Sequence, residues 1–480
     1  MRLKNELLPH QLEAVEKLRN LKVGALFMEQ GTGKSITALE LCRLRLETGK
    51  VEKIIWLCPC SAKENLKNEI LFQADDAMLP NIVICGIESL SLSIPINTYL
   101  LTLVQEYKCF LVIDESLLVK NPDAIRTANI IRLSGYCSYK LILNGTQISR
   151  NEADLFAQFY CLDWRILGYK SYWSFAANHL EMDPLNPQKI RHCLNIESLI
   201  KKVGPYSYQV LKKDCLKLPD KTYHSYYFDM TDEQEAHYSE ISSKLLLDLD
   251  EFRPETIYRL FTALQLIVTG KRIIFITDHD GMERFHAVPF FDNPFDDPRL
   301  NLLLDKIDWS KKYIIFCTFT SDIITICNVL NSMAKETVAY PFNGSWQGKS
   351  RYENVRKFKT EGKFLVANQK SASYSLNLQV CSNIIFYNNS WDLAMRLQGE
   401  DRVHRIGQIN PVKIEDIIAI NSIDQKIKQC LVKKEKILDT FKAELAQYGQ
   451  VALNEWFDNT KKKRYKCSIY DCSDLEDPNA

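Results

Sequence analysis

Glycine and proline are scarce in this chain, 17 and 16 among 480 residues, which excludes a collagen-like repeat or a loose Pro/Gly-rich polymer. An excess of one charge is missing too: 61 Lys plus Arg stand against 60 Asp plus Glu, a formal net charge of +1. That excludes a polycationic tail protein but not a local basic groove, because nucleic-acid affinity depends on where charges lie rather than on their sum. No apolar run reaches the roughly 18 residues of a membrane span, and the opening MRLKNELLPHQ lacks the apolar stretch of a secretory signal. A soluble, intracellular chain with no membrane partner is expected. Fifteen cysteines form no visible framework. The closer pairs, Cys58 with Cys60 and Cys467 with Cys472, are followed by no second pair or His pair at zinc-finger spacing, so reduced thiols and no zinc are expected.

What is present is an ordinary globular composition, 46% hydrophobic and 25% charged with 22 Phe, 22 Tyr and 7 Trp, and at roughly 150 residues per domain a length of about three domains. Short, non-alternating, β-branched runs recur at Val23 to Met28, Ile54 to Leu57, Ile82 to Cys85, Phe110 to Ile113 and Leu141 to Leu143. Such runs suit strands buried on both faces of a parallel sheet. Helical patterns separate them, as at Ile36 to Leu46 and Ala62 to Phe72, which predicts an α/β domain. A second series, Tyr313 to Phe316, Phe364 to Ala367, Ile384 to Tyr387 and Ile414 to Ile420, predicts another. The stretch from 150 to 300 reads as a mostly helical insertion plus linker.

Three constellations carry chemistry. In VGALFMEQGTGKS an apolar strand runs into a Gly-bracketed turn and then a helix. Gly31 and Gly33 let the backbone amides of Gly31, Thr32, Gly33 and Lys34 converge on a phosphate, Lys34 adds a point charge, and Ser35 offers a hydroxyl to magnesium. The strict pattern would put glycine at Met28. In CFLVIDESLLVKN a strand delivers Asp114 and Glu115 at its C-terminal end. Two adjacent carboxylates are costly there without a cation, so Asp114 is expected to hold Mg2+ and Glu115 to orient and deprotonate the attacking water. In QGEDRVHRIGQ, Arg402 and Arg405 are three apart and would share a face on a helix. Together they could clamp a transferring phosphoryl group if both domains close on one nucleotide.

These residues resemble the SNF2 family of ATP-dependent double-stranded-DNA translocases in helicase superfamily 2. The resemblance runs from LLPHQ, where Gln11 looks like the adenine-reading glutamine, through MEQGTGKS, LCPCSAKENLKNEI, IDESLLVKN and LILNGTQISRN. Beyond the insertion it continues through LKKDCLKLPDK, MTDEQEAHY, YIIFCTFT and FNGSWQGKSRYENVRKF to NLQVCSNIIFYNNSWDLAMRLQGEDRVHRIGQ. Its DRVHRIGQ form differs from the arginine pattern of the DEAD-box RNA helicases.

The resemblance implies two RecA-like parallel-sheet domains in tandem, an ATP-binding one over 1-215 and a C-terminal helicase one over 306-440. A helical protrusion would start near 150, a linker and helical insertion would span 216-305, and a bracing helix and flexible tail would fill 441-480. ATP and Mg2+ are the implied cofactors, with Gln398 beside the nucleotide. Implied DNA contacts are Ser61, Lys63, Ser89, Gly145, Thr146, Asn343, Gly344 and Asn377. The implied activity is duplex-DNA translocation that remodels, strips or re-anneals DNA or protein-DNA complexes. Its partners would be double-stranded or branched DNA and a targeting protein, in a prokaryotic or phage-infected cytoplasm or in a nucleus.

A strand-separating DNA or RNA helicase and an uncoupled DNA-binding protein of the same fold are the alternatives. Departures from the family pattern are Ser116 and Leu117 where a His follows the Asp-Glu-Ala, Gln147 for a Pro, and SASYS at Ser371 to Ser375 for a Gly-rich loop. Lost glycines restrict the backbone.

Overall fold

The computed structural model describes residues 2–145, 152–183, 186–247, 249, 253–277, 283–344, 349–372, 376–433, and the positions Thr440, Phe441, Glu444 and Trp456. The chain divides into two compact units, residues 1–217 and 218–480.

In the first unit the strands are β1 (Val23–Met28), β2 (Lys53–Cys58), β3 (Ile82–Gly86), β4 (Cys109–Ile113) and β5 (Tyr139–Asn144), then a hairpin of β6 (Leu180–Asp183) and β7 (Asn186–Cys193), and β8 (Ser207–Val210). Six of them form one sheet in the order β3-β2-β4-β5-β1-β8, with parallel pairing throughout. The register aligns their C-terminal ends: Cys58 pairs with Gly86, Leu57 with Ile113, Phe27 with Asn144 and Met28 with Val210.

The pleat sends alternate side chains to opposite faces, and both faces are covered. Ala25 and Phe27 pack with Ile55, Leu57 and Ile113 on one side, and Leu26 and Met28 pack with Trp56, Cys58 and Val112 on the other. Each such large apolar side chain contributes roughly 1.5–3 kcal/mol on burial, which is why these runs do not alternate with polar residues.

The second unit contains β9 (Lys221–Phe228), a hairpin of β10 (Lys271–Thr277) and β11 (Glu283–Pro289), then β12 (Tyr313–Cys317), β13 (Ala339–Phe342), β14 (Phe364–Asn368), β15 (Asn383–Phe386) and β16 (Val412–Ala419). Its main sheet, ordered β13-β14-β12-β15-β16-β9, is again parallel. Ile314, Phe316 and Phe386 point to one buried face and Ile315, Cys317 and Ile385 to the other. The protein is thus α/β, with two parallel-sheet domains in tandem.

Three sequence expectations need amendment. Within 216-305, read as linker and helical insertion, Lys221–Phe228 is a full edge strand, paired with β16 from Lys221↔Val412 to Phe228↔Ala419. Its run KTYHSYYF carries β-prone aromatics but too few aliphatics to resemble a buried strand. The stretch from 150 to 300 holds helices such as Asp154–Leu162, Asp232–Leu247 and Pro254–Val268, but also the two antiparallel hairpins. β13 was hidden by Pro341, which an edge strand tolerates. Of the segment 441-480, Phe441 and Trp456 are buried, with Trp456 stacked on Phe261 at 5.8 Å and its indole N–H donating to Glu444; apart from these three residues, the predicted brace and tail lies outside the described residues.

Candidate functional site

The turn after β1 is built as a cradle. Gly31 and Gly33 have φ of 85° and 90°, the left-handed region that costs a residue with a Cβ roughly 1–2 kcal/mol. Gly33 has a second reason to be glycine, since a Cβ there would stand 2.2 Å from Gln11 Nε2. Gln11 braces the turn. Its Nε2 donates to Thr32 O at 2.9 Å, and its Oε1 accepts from the Leu8 N–H at 2.9 Å. His10 Nε2 lies 2.8 Å from the same Thr32 carbonyl; a carbonyl only accepts, so that ring nitrogen carries the proton. Lys34 opens the helix Lys34–Glu47 and donates from Nζ to Met28 O at 2.8 Å. Ser35 follows it in the first turn, half-buried.

Asp114 and Glu115 leave the C-terminal end of β4, two strands from the β1 that leads into that turn, in the order β4-β5-β1. Burial, then the neighbouring Glu115 charge, pushes the Asp114 carboxyl up to about 7, against the opposing pull of the Lys34 ammonium. Lys34 and Asp114 therefore share one electrostatic environment although 80 positions apart in sequence. A buried carboxyl held this high gains a great deal from a cation, so the residues suit a divalent metal. Glu115 sits at φ 50° and ψ 55°, left-handed for a residue with a side chain. Its N–H donates to Asp114 Oδ1 at 3.0 Å. Ser116, one residue before Leu117 at the family's histidine position, is fully buried and donates from Oγ to Gln158 Oε1 at 2.6 Å.

The other first-unit residues lie along the same C-terminal edge. Ser61 and Lys63 follow β2, in the 3-10 turn Cys60–Ala62 and at the start of the helix Lys63–Gln73. Ser89 follows β3, with its Oγ 3.4 Å from Cys60 Sγ. Gly145 follows β5; a Cβ there would stand 3.8 Å from Lys34 Nζ. Thr146 lies outside the described residues.

In the second unit the helix Leu393–Glu400 ends before the arginines, so the expectation that Arg402 and Arg405 share a helix face is corrected. They occupy a turn closed by Arg402 N–H to Gly399 O and Gln408 N–H to Arg405 O, with Gly407 at φ 94° stopping any helical continuation. Arg402 Nε donates to Gln398 O at 3.3 Å. The Arg405 guanidinium makes no hydrogen bond or ion pair with any described residue, while its backbone N–H donates to Val403 O at 3.1 Å. Burial and then the Arg405 charge push the Lys359 ammonium down, so these two cations lie close together. Buried acceptors without a partner gather nearby: Gln398 Oε1, Asn377 Oδ1 and Gln379 Oε1. The Leu378 N–H, next to Asn377, donates to Arg402 O.

This cluster lies where chain enters β15 and β16, at the N-terminal edge of the sheet. Asn343 and Gly344 follow β13.

Arg396, which sequence reasoning missed, holds this helix. It is buried, donating to Glu400 at 2.9 Å and to Asn389 at 2.6 Å, and it pairs with Asp416. Lys428 reaches Asp416 at 2.6 Å, and Lys221 reaches Glu400 at 3.1 Å. Burial alone would raise the Asp416 carboxyl, but Arg396 and Lys428 hold it well below the usual range. Only its helical position relative to Gln398 could have flagged Arg396; His10 and Gln158 carry no sequence signal at all.

Comparisons with known proteins agree on a family. Residues 10–274 match the SNF2-related domain and residues 299–407 the helicase conserved C-terminal domain. An uncharacterized ATP-dependent helicase of Mycoplasma genitalium is 26% identical over 339 residues, covering 69% of this chain and 31% of that protein. The ATP-dependent helicase brm of Drosophila melanogaster is 25% identical over 346 residues, 66% of this chain and 21% of that protein. The chain thus spans a third or less of the length of these relatives. The solved Sulfolobus solfataricus SWI2/SNF2 ATPase core in complex with dsDNA aligns over 95% of this chain and 98% of its own, at 20% identity and a TM-score of 0.39. The SNF2-related match alone extends over more than half of the 480 residues, and the chain belongs to the SNF2-related family of helicase-type ATPases.

Proposed function

We propose that the chain is a motor that spends ATP to move along double-stranded DNA and so remodels, strips or re-anneals DNA or protein-DNA complexes. The observation that carries this reading is the convergence of Lys34 with the Asp114 and Glu115 pair at one sheet edge, inside a SNF2-related match. In this reading the Gly31 to Ser35 amides and the Lys34 ammonium bind the phosphates. Gln11 fixes the turn and borders the base. Ser35 and Asp114 would hold magnesium, which when bound neutralises phosphate charge. Glu115 takes the proton of the attacking water, a step that contributes typically ~10²–10⁴-fold. Arg402 and Arg405 are assigned to the transferring phosphoryl group, the role for which planar guanidinium groups are suited. Ser61, Lys63, Ser89 and Gly145, along the same edge as the phosphate turn, and Asn343, Gly344 and Asn377 in the second unit are assigned to the DNA backbone.

The test is ATP hydrolysis with no nucleic acid, duplex DNA, single-stranded DNA and RNA, for the wild type beside Lys34→Ala and Arg405→Ala. Strong stimulation by duplex DNA, reduced at least ~10²-fold in both variants, is expected. Turnover indifferent to every nucleic acid, with DNA still bound, would replace the motor with an uncoupled DNA-binding protein. Release of a labelled strand from a gapped duplex would replace it with a strand-separating helicase.

A further inference from the structure

The residue after the acidic pair has a structural task of its own. Ser116 is where this chain departs from its family, and it is 0% exposed, as is its partner Gln158. Their hydrogen bond, Ser116 Oγ to Gln158 Oε1, is 2.6 Å long. Gln158 is itself fixed, since its Nε2 donates to Asp154 O at 2.8 Å one turn earlier in the helix Asp154–Leu162. That helix lies against the 3-10 turn Ser116–Val119 and is tied to it again through Lys120 and Asp154, 3.7 Å apart. The same turn is pinned from its other end by Arg126 Nε on Leu118 O, 2.8 Å, and by Thr127 Oγ1 on Val119 O, 3.3 Å.

Glu115 stands immediately before this turn at φ 50°. A side-chain-bearing residue in that region persists only when its surroundings over-determine it. On its N-terminal side Glu115 is held by β4 and by its own N–H on Asp114 Oδ1. On its C-terminal side its carbonyl accepts from the Leu118 N–H at 2.9 Å, and the first side-chain anchor is Ser116. A residue held from both sides in a left-handed conformation has the direction of its Cα–Cβ bond fixed, from which the carboxylate is aimed, and a general base depends on such aim: a misplacement of about 1 Å can cost ~10²-fold.

We infer that the buried Ser116–Gln158 hydrogen bond is the strut that aims the Glu115 carboxylate, and that both are positioning residues for hydrolysis. In this chain a serine–glutamine bond to the helix Asp154–Leu162 thus stands one residue before Leu117, the position of the family's histidine. The inference rests on the reading of Glu115 as the base.

Steady-state ATP hydrolysis by the full chain, with thermal melts of each variant, tests it. Ser116→Ala removes the buried hydroxyl that donates to Gln158 Oε1, so its Tm falls. The double variant Ser116→Ala/Gln158→Met removes both partners of that bond, and its Tm recovers, because replacing both partners of a buried hydrogen bond by apolar groups of similar shape is nearly neutral. The expected result is a kcat reduced ~10- to 100-fold in both variants with KM within about threefold, so that turnover stays low when stability returns. A merely structural bond would give the opposite, kcat climbing back with Tm in the double variant; that result, or a wild-type kcat in Ser116→Ala, overturns the strut. Glu115→Gln separates the two layers. If it abolishes turnover while Ser116→Ala does not change it, the strut alone falls. If Glu115→Gln turns over normally, or the wild type does not hydrolyse ATP, the reading of the site falls and takes the strut with it.

Discussion

In the proposed site, Asp114 would serve chemistry at the expense of stability. Its carboxyl is raised by burial and by Glu115 to about 7 in the folded chain, against an ordinary 3.8. The folded state therefore binds the proton more tightly than the unfolded state does. The corresponding stabilisation is complete below pH ~3.8 and is lost as pH rises through about 7. Above that pH the nucleotide-free protein carries a buried charge with no metal to neutralise it. Asp114→Asn is therefore expected to raise the Tm relative to wild type at pH 8 and to lose that advantage by pH 5, while abolishing hydrolysis. Melting curves at both values check it, and a Tm difference independent of pH would contradict the assignment. Gly33→Ala is the complementary case. The φ of 90° and the 2.2 Å approach to Gln11 Nε2 predict a loss of roughly 1–3 kcal/mol, read as a lower denaturation midpoint, together with weaker nucleotide binding.

At the scale of elements, the helix Leu393–Glu400 is placed by charge rather than by its apolar stripe alone. Arg396 ties it to β16 through Asp416, and Glu400 ties it to β9 through Lys221 and the Tyr223 hydroxyl, 2.9 Å away. Removing one member of such a buried network leaves uncompensated charge. Arg396→Met is expected to cost roughly 3–5 kcal/mol, measured by denaturant unfolding; a loss below about 1 kcal/mol would mean that the network is not holding the helix.

Legibility follows the same division. The strands read as strands because Val23–Met28 and Cys109–Ile113 are buried on both faces and so needed unbroken aliphatic runs. β9 escaped because its pairing partner is 184 or more positions away, and its own residues alternate between half-buried aromatics and polar groups. The turn at Arg402 and Arg405 looked helical because spacing of three is all a sequence displays. The helix instead ends at Glu400, ahead of both arginines.

At the scale of the whole molecule, a near-neutral chain must concentrate its cations to hold a polyanion. Burial and then the Arg405 charge disfavour the charged form of Lys359, a cost that a bound anion removes. If duplex DNA is the track, its affinity should fall with salt, with a log–log slope of about −0.9 per phosphate contacted. Titrations between 50 and 200 mM salt measure this, concentrations over which several contacts give a loss of roughly 10³-fold or more. A flat response would remove DNA phosphate from the mechanism.

The sequence by itself determined the α/β class, the two strand series, and the residue types that can bind phosphate and metal. Those depend on local patterns: unbroken apolar runs, glycines at a turn, acids at a strand end. Only the tertiary structure decided that Lys34 shares an electrostatic environment with Asp114, that Asn377 stands beside Arg402, and that Ser116 answers to Gln158. Each of those pairings joins positions 25 to 80 residues apart. No periodicity encodes such a distance, because it is set by which strands lie side by side in the sheet.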